Sequence, residues 1–170
     1  RVQMIKSGLA DYAILIPTQL LKALDDSPDI DVTYLDSWTN EFYLLNTKKP
    51  PTDNLWFRRA VASSFDRQTI VKHVYKNTGI EAKGLVPQNL PLFQEPDSLL
   101  KFDLEMAKRY LERSDVNIKN INVDFSFVST YEEYRLTAFM LLDNLRSLGI
   151  RLDLKPGLWS TNWDKAKNTK

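Results

Sequence analysis

Cysteine is absent from this chain of 170 residues, histidine occurs once, and glycine occurs only five times. Without cysteine there are no disulfides, no thiolate metal sites and no cysteine nucleophile. That absence leaves the compartment open, because oxidising compartments also hold cysteine-free proteins. Transition-metal sites gather several imidazole or thiolate ligands, and His73 alone supplies no such set. Neither a metal nor a cofactor is expected. The five glycines are scattered and form no phosphate-cradling loop. No Gly-x-Ser-x-Gly turn is present, and His73 has no evident serine partner. These absences argue against an enzyme. A net charge of +1 lacks the clustered basic excess of a nucleic-acid surface, so no nucleic acid is an expected partner. No apolar run approaches the ~20 residues of a membrane span.

What is present describes a globular domain, with 43% hydrophobic and 26% charged residues. A short helix ending at Gly8 is expected first, because glycine accepts positive φ at a helix C-terminus. A strand over residues 12–16 follows. Pro17 can open a helix over residues 18–24, where its missing N–H is not needed. Residues 31–35 and 41–46, rich in β-branched and aromatic types, read as strands. Pro50 and Pro51 then bar continuation.

Asp53 or Asn54 can cap the next helix, on which Phe57, Ala60, Val61 and Ser64 share one face. Asp66 is expected to cap a second helix carrying Ile70, Val71, Val74 and Tyr75. Residues 77–100 form a long connection punctuated by Pro87, Pro91 and Pro96, of the kind that wraps a surface or carries function. A helix over 103–113, a strand over 121–127, a helix over 131–148 and a strand over 150–154 complete the pattern. The long helix shows Leu136, Phe139, Met140, Leu145 and Leu148 as its apolar face, and Gly149 stops it. Strands alternating with helices favour an α/β layered domain with a mixed sheet flanked by helices.

The most informative run joins Asn46, Pro50, Pro51, Asp53, Arg58, Ala60, Asp66 and Arg67. In that order and spacing it resembles the signature of the family 5 extracellular solute-binding proteins, the oligopeptide, dipeptide and nickel receptors that feed ABC importers. Four further stretches agree with it. They are Gly8, Asp11 and Ala13; Gly84, Val86, Pro87 and Pro91; Asp103, Ala107, Lys108 and Leu111; and Leu145, Leu148, Gly149, Ile150 and Leu152, followed by Trp159 and Trp163. Thr52, Asn54 and Ser64 depart from the pattern, which more often has an aromatic, an acidic residue and alanine there.

The resemblance implies one lobe of a type II periplasmic-binding-protein-like fold. Residues 1–170 would be a single, partial C-terminal lobe, with an N-terminal lobe and a final segment lying outside it. It also implies a binder that captures a short peptide by closure of two lobes and delivers it to ABC-transporter permease subunits. Nickel chelates, oligosaccharides and opines are alternative solutes. The location would be periplasmic or at the cell surface. A bacterial transcriptional regulator can carry the same kind of domain as a cytoplasmic solute sensor, and no residue here separates the two roles.

By position, residues 38–44 match the strand that lines the pocket in peptide receptors. Trp38, Asn40, Phe42 and Leu44 are therefore the expected ligand-binding side chains. Alternation sends Asn40, Phe42 and Leu44 to one face and Glu41, Tyr43 and Leu45 to the other. The competing reading makes Phe42 and Leu44 ordinary core. Tyr131 and Tyr134 open the long helix, whose N-terminus could meet a ligand carboxylate. The plainer account has Ser129 or Thr130 capping that helix and the tyrosines on its surface. Arg58 and Asp66 are read as structural, the first bonding nearby backbone carbonyls and the second capping a helix. His73 is read as a partly exposed structural position.

Overall fold

A computed structural model describes residues 1–168. The first helices are α1 (Val2–Lys6) and α2 (Thr18–Asp25), the latter beginning directly after Pro17. Gly8 takes φ +69° beyond α1. Helix α3 (Leu55–Ser63) is capped by Asn54, whose side-chain oxygen accepts from the Trp56 and Phe57 amides at 2.9 and 3.1 Å. Asp66 accepts from the Thr69 amide at 3.0 Å and starts α4 (Arg67–Thr69). That helix widens into a π-helical turn over Ile70–Val74. Asp103 caps α5 (Leu104–Arg113) in the same way, accepting from the Met106 amide at 2.8 Å. Each cap satisfies backbone donors that the first helical turn cannot.

The remaining elements form a β-α-β unit followed by a helix. Strand β1 (Asn122–Val128), helix α6 (Glu132–Ser147) and strand β2 (Arg151–Gly157) precede α7 (Trp159–Lys167). The strands pair in parallel from Asn122 opposite Arg151 to Val128 opposite Gly157. Parallel strands need a crossover, which α6 provides. Gly149 at φ +80° closes α6. Its amide donates to the Arg146 carbonyl and the Ile150 amide donates to Leu145, both at 3.0 Å, so two end carbonyls find partners.

One core joins these pieces. Phe57 and Ala60 of α3, Leu111 of α5, and Leu141 and Leu145 of α6 pack with Ile150 and Leu152. The helical periods therefore point where the sequence indicates, with Phe57, Ala60 and Ser64 wholly buried. Helix α6 differs from expectation. Its inward side is Glu133, Thr137, Ala138, Leu141 and Leu145, while Phe139 is exposed. Polar residues can occupy that face because they are bonded. Thr18 donates its amide and hydroxyl to Glu133, at 3.1 and 2.9 Å, and the Thr137 hydroxyl donates to the Glu133 carbonyl at 2.8 Å.

The α/β class holds, but three expected strands do not form. Among the described residues only β1 and β2 pair, as a small parallel sheet, whereas 12–16, 31–35 and 41–46 carry no ladder. β-Rich composition specifies extended chain, and a strand additionally needs a neighbour to bond. Leu15 at φ +54° also breaks any extended run through residues 12–16. The connection 77–102 is tied at both ends by Arg67, which pairs with Glu81 at 2.9 Å and donates to the Leu100 carbonyl.

Candidate ligand-binding face

The segment from Ser37 to Asn46 joins no ladder and is held at each end. The Asn89 side chain donates to the Ser37 carbonyl at 3.0 Å, and Asn40 donates to the Gly84 carbonyl at 2.6 Å. At the other end the Thr52 hydroxyl donates to the Asn46 carbonyl, and the Asn46 side chain accepts from the Lys48 amide at 3.0 Å. The proline turn thus hangs the segment from the start of α3. Arg58 steadies that turn by donating to the Thr52 and Asp53 carbonyls at 3.0 and 2.8 Å, the structural role expected of it.

Between these anchors, alternate side chains go opposite ways. The Tyr43 ring lies inward, 4.8 Å from Phe65 edge-on and 4.9 Å from Phe125. The Glu41 carboxylate accepts a hydrogen bond from the Tyr75 hydroxyl and lies within bonding reach of the Tyr134 hydroxyl. Glu41 and Tyr43 make these contacts, whereas three nearby apolar side chains make none of them and are more open to solvent than Tyr43. Phe42 is 56% exposed, Leu44 64% and Trp38 70%. Phe42 and Leu44 are therefore not core. Asn40 is half-buried, with its amide engaged by the Gly84 carbonyl.

Burial sets the electrostatics of the inward side. It raises the Glu41 carboxyl above its ordinary value. The Tyr75 and Tyr134 hydroxyls favour the charged form and only partly offset this, and the nearby Glu133 carboxylate adds to the rise. Burial and then the Glu41 charge push Tyr134 up to about 12. Tyr43 and Tyr75 are raised as well, again first by burial.

Tyr131 and Tyr134 come together, ring centroids 5.2 Å apart, at the start of α6. The expected cap by Ser129 or Thr130 does not form. Tyr131 holds the capping position with no side-chain bond, and Ser129 turns instead to the Gly157 carbonyl. The helix's own Glu132 and Glu133 occupy its first turn, where they complement its positive end. Tyr134 lies near Glu41, whose charge acts on its hydroxyl.

Sequence reasoning missed Glu41, Tyr43 and Tyr75 as a set. The alternation in residues 38–44 placed Glu41 beside Tyr43, and that was the available signal. Tyr75 enters only through the π-helical turn, which carries it to Glu41. His73 is exposed on the same turn. Among the described residues no group of three or more His, Asp or Glu side chains could hold a metal ion, and no helix is long and apolar enough to cross a membrane.

Comparison with known proteins agrees with this architecture. The family model described as bacterial extracellular solute-binding proteins, family 5 middle, matches residues 1–170. The probable di/tripeptide-binding protein 5 of Pseudomonas aeruginosa (strain UCBPP-PA14) is 23% identical over 168 residues, covering 99% of this chain and 32% of that protein. The dipeptide binding protein from Pseudoalteromonas sp. SM9913, solved with Met-Leu, superposes with a TM-score of 0.81 at 22% identity, over 96% of this chain and 33% of its own. NikA from Staphylococcus aureus, solved with Ni(L-His)2, gives a TM-score of 0.82 at 19% identity, over 96% of this chain and 35% of its own. At such identities the structural likeness carries the fold, that of type II periplasmic binding proteins. The chain spans about a third of the length of each of these three.

Proposed function

The chain belongs to the family 5 bacterial extracellular solute-binding proteins, and from that premise we propose that it forms one wall of a short-peptide receptor. The whole protein would be the capture component of an ABC importer, a binder with no catalytic step, working outside the cytoplasm. Residues 1–170 would act as a single lobe whose outward face meets a second lobe. A peptide between them would bridge the two and stabilise the closed form by its higher affinity for that state. The closed receptor would then dock on its membrane permease.

The observation that carries this reading is the outward row of Trp38, Phe42 and Leu44. Large apolar side chains are left in solvent on a segment whose alternate residues are anchored to the lobe. Exposed large apolar side chains gathered on one segment are the kind of surface a ligand or partner covers. Apolar walls with a few fixed polar groups such as Asn40 suit a peptide. The peptide class is supported by the di/tripeptide-binding relative and by the Met-Leu complex of the structural neighbour. Nothing observed favours a regulator's sensor domain.

Calorimetry on the full-length receptor, stripped of bound solute and titrated with di-, tri- and tetrapeptides, tests the proposal. Micromolar or tighter binding of at least one class is expected, with a large loss in Phe42→Ala. Silence toward all peptides together with tight binding of a nickel–histidine chelate would overturn it.

A further inference from the structure

Two side-chain hydrogen bonds tie the connection that follows the π-helical turn to the candidate ligand-binding segment. Asn40 donates to the Gly84 carbonyl at 2.6 Å, and Asn89 donates to the Ser37 carbonyl at 3.0 Å. The earlier residue of the segment meets the later residue of the connection, so the two stretches run in opposite directions. The bonds therefore close a short circuit of chain, with Trp38 and Thr39 on one side and residues 85–88 on the other. Among the described residues, no other hydrogen bond or ion pair ties residues 84–89 to a distant part of the chain. Their remaining bond is local, from the Leu90 amide to the Pro87 carbonyl.

What this circuit holds is apolar and open to solvent. Trp38 is 70% exposed, Leu85 75% and Val86 49%. Trp38 adjoins bonded Ser37 and Leu85 adjoins bonded Gly84, so chain geometry keeps them close together. Pro87 stiffens the stretch by fixing its own φ. Two polar side chains are thus spent on placing a stretch that buries little of its own apolar surface. A stretch placed in advance loses little further freedom when a ligand covers it. A long connection held in this way is one that carries function.

We propose that Leu85 contacts an apolar side chain of the bound peptide, and that Asn40 and Asn89 are positioning residues that hold residues 84–89 beside Trp38. The inference rests on the peptide-receptor reading above and deepens it, adding the connection to the surface that selects the ligand's side chain. Leu85, more open than Val86, makes the contact. Asn40 acts on the ligand through Gly84, because its amide is spent on that carbonyl.

The test uses the full-length receptor and four tripeptides, all-alanine and the three that carry phenylalanine at one position. Calorimetry should show phenylalanine preferred over alanine at one position or more. Leu85→Ala should weaken the favoured phenylalanine peptide about fivefold to tenfold and change the all-alanine peptide by less than about twofold. Leu92→Ala, at a residue 95% exposed but outside the circuit, should leave all four affinities unchanged. Asn40→Ala should weaken the same phenylalanine peptide, and should add less than about twofold once Leu85 is already alanine. Amide hydrogen exchange over residues 84–89 should quicken in Asn40→Ala and in Asn89→Ala. Equal binding of all four tripeptides, or a phenylalanine preference that survives Leu85→Ala, overturns the contact. Losses that add in full for Asn40→Ala and Leu85→Ala, an Asn40→Ala without effect, or exchange that does not quicken overturns the positioning role. Binding of no tripeptide overturns the peptide reading and this inference with it.

Discussion

Tyr75 donates its hydroxyl hydrogen to the Glu41 carboxylate, tying the turn after α4 to an extended segment 34 positions earlier in the chain. This bond holds the anchored side of residues 38–44 in place and so leaves the alternate side chains facing out.

Glu41 should make stability depend on pH. Burial raises its folded carboxyl above the ordinary 4.5, so the folded state holds this proton more tightly than the unfolded chain does. That contribution is complete below the ordinary value and is lost as pH rises through the raised one. Glu41→Gln keeps the group neutral at every pH and can still accept from Tyr75. It should melt higher than wild type at neutral pH, with the gap closing toward pH 4. Thermal melts in which the variant is the less stable at neutral pH would show that desolvation is not the dominant influence on Glu41.

Removing the centre of the core should be severe. Phe57 is fully buried between α3, α5, α6 and β2, and Phe57→Ala should cost about 3–5 kcal/mol through lost transfer energy and a residual cavity. A urea titration gives the value from the shift of the midpoint at constant slope.

The cap of α3 separates two effects. Asn54 accepts from two amides of the first turn and donates to the Ser114 carbonyl at 3.0 Å. Asn54→Ala should cost about 1–2 kcal/mol, the usual range for a lost cap. Asn54→Asp restores the acceptor and adds a charge that suits the helix N-terminus, so it should recover most of that loss while giving up the Ser114 bond. Equal destabilisation by both would place the energy in the Ser114 contact instead.

Binding and stability should part company on the outward row. Trp38→Ala and Phe42→Ala change exposed side chains, so unfolding free energies should stay within about 0.5 kcal/mol of wild type. Peptide affinity of the full-length receptor should fall about tenfold or more in each. Residues 1–170 alone should bind the same peptides weakly or not at all, since one wall of a cleft excludes little water. Tight calorimetric binding to the isolated chain would refute the two-walled site.

Much of the fold was legible because its signals are local. Asn54, Asp66 and Asp103 cap the helices their spacing announces, and Gly149 ends α6 with positive φ. Alternation in Val123, Phe125 and Phe127 marked β1, and Ile150, Leu152 and Leu154 marked β2. Residues 12–16, 31–35 and 41–46 were misread as strands because composition reports extended chain and says nothing of a bonding neighbour. Phe139 was misplaced for a related reason. Which side of α6 turns inward depends on what packs there, and Thr18 makes a polar Glu133 acceptable on that side. At the candidate site, alternation correctly sorted Phe42 from Tyr43. The pairing of Glu41 with Tyr75 and Tyr134 depends on elements far apart in the chain.

The amino-acid order by itself determined the family, the α/β class, the helix starts and stops, and the two faces of residues 38–44. Each of these follows from near-neighbour chemistry: capping, proline and glycine backbone preferences, and the periods of helix and strand. Only the tertiary structure decided which segments pair, which side of α6 is buried, and that the Glu41 carboxylate accepts from the Tyr75 hydroxyl. Those outcomes depend on the distance between groups remote in sequence, and desolvation and hydrogen bonding act through that distance.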